Sequence, residues 1–283
     1  MVFMSEKNPE IRSMERMANH IRQVVLDMIY YAKSGHIGGD FSEMELLTAL
    51  YFKFLHFRPA DTENPDRDRF VLSKGHCVEA LYAILAEKGC FPKQDLKSCG
   101  SIGTPFIGHP NRVIPGVEMN TGSLGHGLSL GCGMALAARM DQRPYHTYVL
   151  MGDGELDEGS VWEAAMFAAH NRLDNLTAIV DCNGLQISGP TEKVLSPGNL
   201  PVRWNAIGWH VVELVHGNDM CAVCAAFEEA LEENGKPTVI LAHTMKGAGC
   251  PSIENRVEWH HRVPSQQEYE LMKAELEEGA SRL

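Results

Sequence analysis

Asp153 and Asn183 stand thirty positions apart, each just past a short apolar run, Tyr148–Met151 and Leu176–Val180. Runs of that length and composition suit buried parallel strands. Between them Val161, Ala164, Ala165, Ala168 and Ala169 recur at helical spacing, so a helix is expected from Glu158 to Leu173. The unit is β–α–β. If its strands are near neighbours, both polar side chains reach the crevice outside the strands' carboxyl ends, where open α/β sheets bind ligands. One charged and one neutral oxygen donor are what Mg²⁺ or Ca²⁺ takes from a protein when a diphosphate supplies the rest. Gly152 and Gly154 flank Asp153 and allow close approach of backbone to phosphate, and the following helix points its amide end the same way. A bare Gly-Asp-Gly is equally an ordinary strand-ending turn; the pairing with Asn183 makes the pattern specific.

Histidine is the second resource. Of thirteen, four sit in turns beside glycine or after a strand: His36, His76, His109 and His260. Any one alone reads more readily as a surface or satisfied core residue. Carried together on loops of a rigid sheet, they could donate or collect protons near neutral pH.

The elements that must hold these residues can be followed along the chain. A helix is expected from about Pro9 to Lys33, with Met14, Met17, Ala18, Ile21, Val24, Val25, Met28 and Ile29 on one face. Ser34–Gly39 reads as a strained glycine-dense loop, after which Ser42 and Glu45 suggest a capping box opening the next helix, through Phe54. Phe70–His76 reads as strand into turn, and Val78–Lys88 as helix. Cys90–Pro115 is irregular, and a loop of that length in a compact domain is usually functional or disordered. Thr121–Gly127 leads into a small-residue helix, Leu128–Met140. Beyond the central unit, His210–Val215 and Thr238–His243 read as strands, with Ala222–Glu233 a helix between them. Ser265–Glu278 is an acidic amphipathic closing helix. The expected architecture is a doubly wound, mostly parallel sheet with helices on both faces. It forms a single domain over 1–283, with an N-terminal helical segment (about 9–57) and a C-terminal helix (about 265–278).

Composition is globular: 44% hydrophobic and 22% charged residues in 283 support a sizeable core. A net charge of −12 argues against nucleic acid or an anionic membrane as the main partner. A phosphorylated ligand would have to be held by local chemistry. Eight cysteines are scattered, and Cys221-x-x-Cys224 has no second pair to complete a zinc site. The opening Met1–Met4 is too short an apolar run for a secretory signal, and no segment has the length of a membrane span, so a reduced cytoplasmic setting is the default expectation.

Seven blocks occur in order from about Ile21 to His260: S-G-H-I-G-G, L-S-K-G-H, G-H-P, T-G-S-L-G-H-G, G-D-G-E-L-D-E-G, D-C-N-G-L-Q-I-S-G and T-M-K-G-A-G…W-H. The arrangement resembles the amino-terminal, diphosphate-binding half of transketolase, with its thiamine-diphosphate fold (PP-type domain). The resemblance implies thiamine diphosphate and Mg²⁺, with Ca²⁺ or Mn²⁺ equally suited to oxygen ligands. It implies that Asp153, Asn183 and the carbonyl of Leu185 hold the metal. His76, His260 and the Gly154 amide would meet the diphosphate, in a loop that includes Gly152 and Glu155. Gly122 and Leu124 would flank the aminopyrimidine, and Ile187 the thiazolium. His36, His109 and His260 would serve sugar binding and proton transfer, and Glu158 would be an interface carboxylate linking two sites of a dimer. The implied reaction transfers a two-carbon ketol unit from a ketose to an aldose, a pentose-phosphate type of chemistry.

Departures from the family's common pattern are Ser123, His126, Ile37 and Asp40, the last expected to add negative charge at the mouth of the site beside His36. The chain also stops before the family's pyrimidine-binding and carboxy-terminal domains. The expectation is therefore a small subunit of a split transketolase, inactive alone and assembled as α2β2 with a complementary carboxy-terminal subunit. Alternatives are a transketolase for a modified sugar, a deoxyxylulose-phosphate synthase (usually one continuous chain), a ketoacid dehydrogenase α subunit (disfavoured by the S-G-H and T-G-S-L-G-H-G blocks), or a non-catalytic cofactor-binding partner.

Overall fold

The computed structural model describes residues 8–283; the opening Met1–Met4 run lies outside them. In chain order the helices and strands are α1 (Pro9–Ala32), α2 (Ile37–Ser42), α3 (Met44–Ala49), β1 (Arg69–Leu72), α4 (Val78–Lys88), α5 (Gly127–Met140), β2 (Thr147–Gly152), α6 (Gly159–His170) and β3 (Leu176–Cys182). There follow a two-stranded antiparallel ribbon, β4 (Leu185–Gln186) and β5 (Gly189–Pro190), then α7 (Thr191–Val194), α8 (Leu200–Ile207), β6 (His210–Leu214), α9 (Met220–Glu232), β7 (Thr238–His243) and α10 (Gln266–Arg282).

Five strands form one parallel sheet in the order β1-β2-β3-β7-β6. Successive strand residues point to opposite faces, and here both faces are dry. Phe70, Leu72, Tyr148, Leu150, Ile179 and Ile240 pack with residues of α1, α3, α4 and α9. Their neighbours Val71, Val149, Met151, Ala178, Val180 and Val239 pack with residues of α5, α6 and α8, including Trp204. This is why the strands read as continuous apolar runs rather than as alternation.

The sheet order places β2, β3 and β7 side by side, so Asp153, Asn183 and Lys246 emerge at one edge of the sheet. Gly152 of β2 is in register with Asp181 of β3, and Asp181 with Ala242 of β7.

Two local expectations fail, for reasons of packing. Ser34–Gly39 is not all loop: α2 starts at Ile37, carrying Gly38 and Gly39 in helical conformation among fully buried neighbours. Ser42 does not cap α3, since its hydroxyl donates to Gly39 O (2.9 Å) and Asp181 Oδ2 (2.5 Å), while Glu45 pairs with Arg22 at 2.7 Å. The capping box occurs instead at the start of α10, where Ser265 and Glu268 hydrogen-bond reciprocally. The Cys221-x-x-Cys224 pair lies on α9, one thiol exposed and one buried, and both are unpaired. Among the described residues no helix is long and apolar enough to cross a membrane.

Candidate active site at the carboxyl ends of the central strands

A cleft of about 390 Å³ opens at the carboxyl ends of β1, β2, β3 and β7. It is lined by His36, His76, His109, His260, Gly122, Leu124, Gly152, Asp153, Gly154, Glu155, Asn183, Leu185 and Ile187. Residues from 36 to 260 thus meet in one place. Glu158 does not join them; it is exposed, on the far side of a single-turn 3-10 helix (Gly154–Asp157) that intervenes before α6. The amide end of α6 is therefore set back from the cleft by that turn, contrary to the sequence expectation.

Asp153 is buried, with Oδ1 accepting from Gly154 N (2.8 Å) and Oδ2 from Gly184 N (2.7 Å). Burial, and then the nearby Asp181 carboxylate, push its pKa up to about 6. A carboxylate held in that position would be stabilised by a cation. Asn183 is oriented by its amide group, which donates to Ser42 Oγ (3.3 Å) and Asp181 Oδ2 (3.2 Å); its Oδ1 accepts from Leu185 N at 3.1 Å. One carboxylate, one amide oxygen and the carbonyl of Leu185 make an incomplete set of hard oxygen donors, which suits a divalent ion completed by diphosphate oxygens. The described residues contain no cluster of three His, Cys, Asp or Glu side chains that could hold a metal ion.

The Gly154 amide, expected at the diphosphate, is turned to Asp153 instead. The residue's contribution is its missing side chain, because a Cβ there would lie 2.7 Å from Gln186 Cγ. Glu155 reaches the wall, but its carboxylate is taken up by Ser73, Gly125 N (2.8 Å) and Gly152 N (3.2 Å), tying three loops together.

The imidazoles form a cluster. His36 lies 4.9 Å from His76, 5.6 Å from His260 and 4.5 Å from His261 between ring centroids, and His76 stacks on His260 at 5.3 Å. Burial first, then neighbouring positive charge, lower His36 to about 4, His76 to about 2 and His260 to about 3. All three are neutral at pH 7, so each ring offers one donor and one acceptor. His109 is exposed at the rim; its carbonyl accepts from Tyr82 at 2.8 Å, and its ring lies against Gly122.

Sequence reasoning gave no role to two lysines that the fold brings here. Lys246, just past β7, is 2% exposed, with Nζ 3.3 Å from His260 Nδ1, and burial pulls its pKa below the ordinary lysine range. It is a cation aimed at the cleft. Lys74 is part of the cleft's floor, with Nζ 2.6 Å from Asp181 Oδ2, 2.7 Å from Glu43 Oε2 and 3.2 Å from Gly39 O. Both lysines lie inside the S-K-G-H and T-M-K-G-A-G blocks. A lysine beside glycine at a strand end was the available signal.

Asp40 corrects another expectation. It is fully buried, with Oδ1 accepting from Ala80 N at 3.0 Å, and burial followed by the Glu79 carboxyl raises its pKa well above the ordinary range. It adds no negative charge at the mouth.

Fold and cleft together define an α/β protein built to hold a diphosphate and a divalent cation at the carboxyl ends of parallel strands. The sequence profile of the family described as transketolase, thiamine diphosphate binding domain, matches residues 13–279. The chain belongs to that family and is a thiamine-diphosphate-binding protein. It is 46% identical to one of the subunits of an apulose-4-phosphate transketolase from Phocaeicola vulgatus, over 97% of both chains. It is 42% identical to the 6-deoxy-6-sulfo-D-fructose transketolase subunit SqwG of Clostridium sp. (strain MSTE9), over 98% of this chain and all of that one. A transketolase from Leishmania mexicana superposes with a TM-score of 0.86 at 30% identity, covering 95% of this chain and 44% of that one. The Campylobacter jejuni transketolase does so with a TM-score of 0.89 at 28% identity, covering 97% and 46%. The chain therefore spans less than half the length of these transketolases.

Proposed function

We propose that this chain is the thiamine-diphosphate-binding subunit of a split transketolase, acting as one unit with a complementary subunit that carries the pyrimidine-binding domain. The convergence of seven sequence blocks on a single cleft supports the reading. So do relatives that match over nearly their whole length and are themselves named as individual transketolase subunits. The assembly would be α2β2, in a cytoplasmic setting. Ile187, 71% exposed at the rim, is the kind of apolar group that a cofactor ring and a partner surface would cover.

When bound, thiamine diphosphate supplies a carbanion that attacks a ketose carbonyl. This chain's residues hold and orient it. Asp153, Asn183 and the Leu185 carbonyl would hold Mg²⁺, or Ca²⁺ or Mn²⁺ through the same donors. Lys246, His76 and His260, which line the cleft, would meet the diphosphate, and burial from water would strengthen that attraction. Gly122 and Leu124 shape the wall for the aminopyrimidine. His36 and His109, in the cleft lining, would serve the reacting carbon, where a neutral imidazole can donate to a developing alkoxide or collect its proton. Glu158, exposed outside the cleft, would be reached by another subunit. The substrates would be sugars or sugar phosphates of the modified kind that the relatives' names carry.

Coexpression with the complementary subunit, followed by ketol-transfer assays with thiamine diphosphate and Mg²⁺, tests this directly. Activity should require both chains. Full turnover by the isolated chain, or an inert complex across ketose donors, would overturn the reading. His109→Ala should leave cofactor affinity in place and lower turnover by roughly 10²- to 10⁴-fold; undiminished turnover would remove His109 from the site.

A further inference from the structure

Beneath the histidine cluster lie two carboxyl groups that the chemistry above does not use. Asp40, on α2, is 0% exposed, and Glu79, in the first turn of α4, is 3% exposed. The two carboxyls are close enough that each acts on the other's protonation. With both ionised, Asp40 Oδ2 and Glu79 Oε2 have no donor among the described residues. One proton shared by the pair would supply it, as a carboxyl–carboxylate hydrogen bond.

What the pair joins is specific. Asp40 N donates to His36 O at 3.1 Å, while Asp40 Oδ1 accepts from Ala80 N at 3.0 Å, so an α2 side chain caps α4 from outside. Cys77, the residue in the cap position, makes no side-chain hydrogen bond there. Glu79 packs against Gly35, where a Cβ would lie 3.0 Å from Glu79 Oε1 and where φ is +149°. The His36 ring in turn lies 4.9 Å from the His76 ring, edge to face. The two carboxyls therefore sit in the seam between the segment that ends in His36 and the helix that begins just after His76.

We propose that Asp40 and Glu79 are positioning residues: a proton-sharing pair that fixes the His36 segment against the His76 segment and so sets the spacing of the two imidazoles at the cleft. The inference rests on the thiamine-diphosphate reading for its assay, though not for its geometry. The surroundings favour a retained proton. Glu43 faces both carboxyls, Cys77 lies beside Asp40, and Cys99 and Tyr82 border Glu79. The nearby cation, Lys74, is held by Asp181 and Glu43. Burial, and then repulsion by Glu43, raise Glu79 to about 7. As pH rises through that value the shared proton is lost, two carboxylates face each other, and the seam should loosen.

In the complex with its complementary subunit, kcat and KM are followed from about pH 5 to about pH 9. Glu79→Ala should lower kcat on the order of 10- to 100-fold while thiamine-diphosphate affinity holds. Glu79→Gln, whose amide donates where the shared proton did, should recover most of kcat and lose the wild-type fall above about pH 7. Asp40→Asn, which keeps an acceptor for Ala80 N and adds a donor, should behave like Glu79→Gln. A Gln variant that keeps the wild-type alkaline fall, or an Ala variant with wild-type turnover, overturns the proposal. If the wild-type complex transfers no ketol unit, the functional reading fails, and thermal unfolding of the thiamine-diphosphate-loaded chain still tests the pair. A raised carboxyl pKa stabilises the fold below the ordinary glutamate value, and that stabilisation is lost as pH rises through about 7. Wild-type Tm should therefore fall more steeply over that window than that of Glu79→Gln; equal slopes overturn the pair.

Discussion

Asp153→Ala should abolish retention of the divalent ion and, with it, of thiamine diphosphate. Asp153 is the charged member of the proposed oxygen set, and without it the diphosphate's negative charge would be met by Lys246 and neutral imidazoles, since Lys74 in the same lining is already paired with Asp181 and Glu43. Titration calorimetry of the variant with thiamine diphosphate and Mg²⁺ should show no binding at concentrations that saturate the wild type. Wild-type affinity would remove the metal from this carboxylate. The same group gives the binding a pH signature. Below about pH 6 a proton occupies Asp153 and competes with the cation, so apparent ion affinity should weaken as pH falls through that value. In the metal-free chain the raised pKa acts on folding with its own sign. Its contribution is fully present below the ordinary aspartate value and is lost as pH rises through about 6, at about 1.4 kcal/mol per unit. Saturating Mg²⁺ should remove that loss.

Lys74→Met should cost roughly 3–5 kcal/mol of stability and loosen the metal site as well. Lys74 and Asp181 are both almost wholly buried and 2.6 Å apart. Burial works against the ammonium, but Asp181, Cys77 and Glu43 outweigh it and hold its pKa well above the usual range. Removing the cation leaves Asp181 charged among hydroxyl and amide donors alone: Ser42, Thr244 and Asn183. Asn183 is oriented by that same carboxylate, so its oxygen should lose its fixed aim. Denaturant unfolding measures the first effect and metal titration the second. Lys74→Met combined with Asp181→Asn should recover part of the stability, since the uncompensated charge is gone. A single variant within about 1 kcal/mol of wild type would show that the pair is dispensable.

Much of the molecule was legible because its signals are local. Thr238–His243 reads as a buried strand from six consecutive residues, and both faces of the sheet take apolar side chains from such runs. Pro9 opens α1, and the apolar recurrence three and four apart after it carries through to Ala32. The cleft residues were found through short blocks in which glycine, histidine and a carboxylate stand beside a strand end. The failures share one cause. Ser42 looks like a cap because serine followed by glutamate three residues on is a cap signature, yet its hydroxyl is claimed by Asp181, 139 positions away. Asp40 looks like surface charge beside His36, yet its carboxyl finds Ala80 N, 40 positions away, and a proton-sharing neighbour.

By itself, then, the chain's order of residues determined which segments are strands and helices, and that a carboxylate, an amide and several imidazoles would stand at strand ends. Periodicity and turn chemistry are properties of neighbours in sequence. Only the tertiary structure decided which polar groups offset their burial by pairing, because charge neutralisation depends on distance through space. That is why Lys74, Lys246 and the Asp40–Glu79 pair emerged only once the fold had brought α2 and α4 together and set the ends of β1, β3 and β7 side by side.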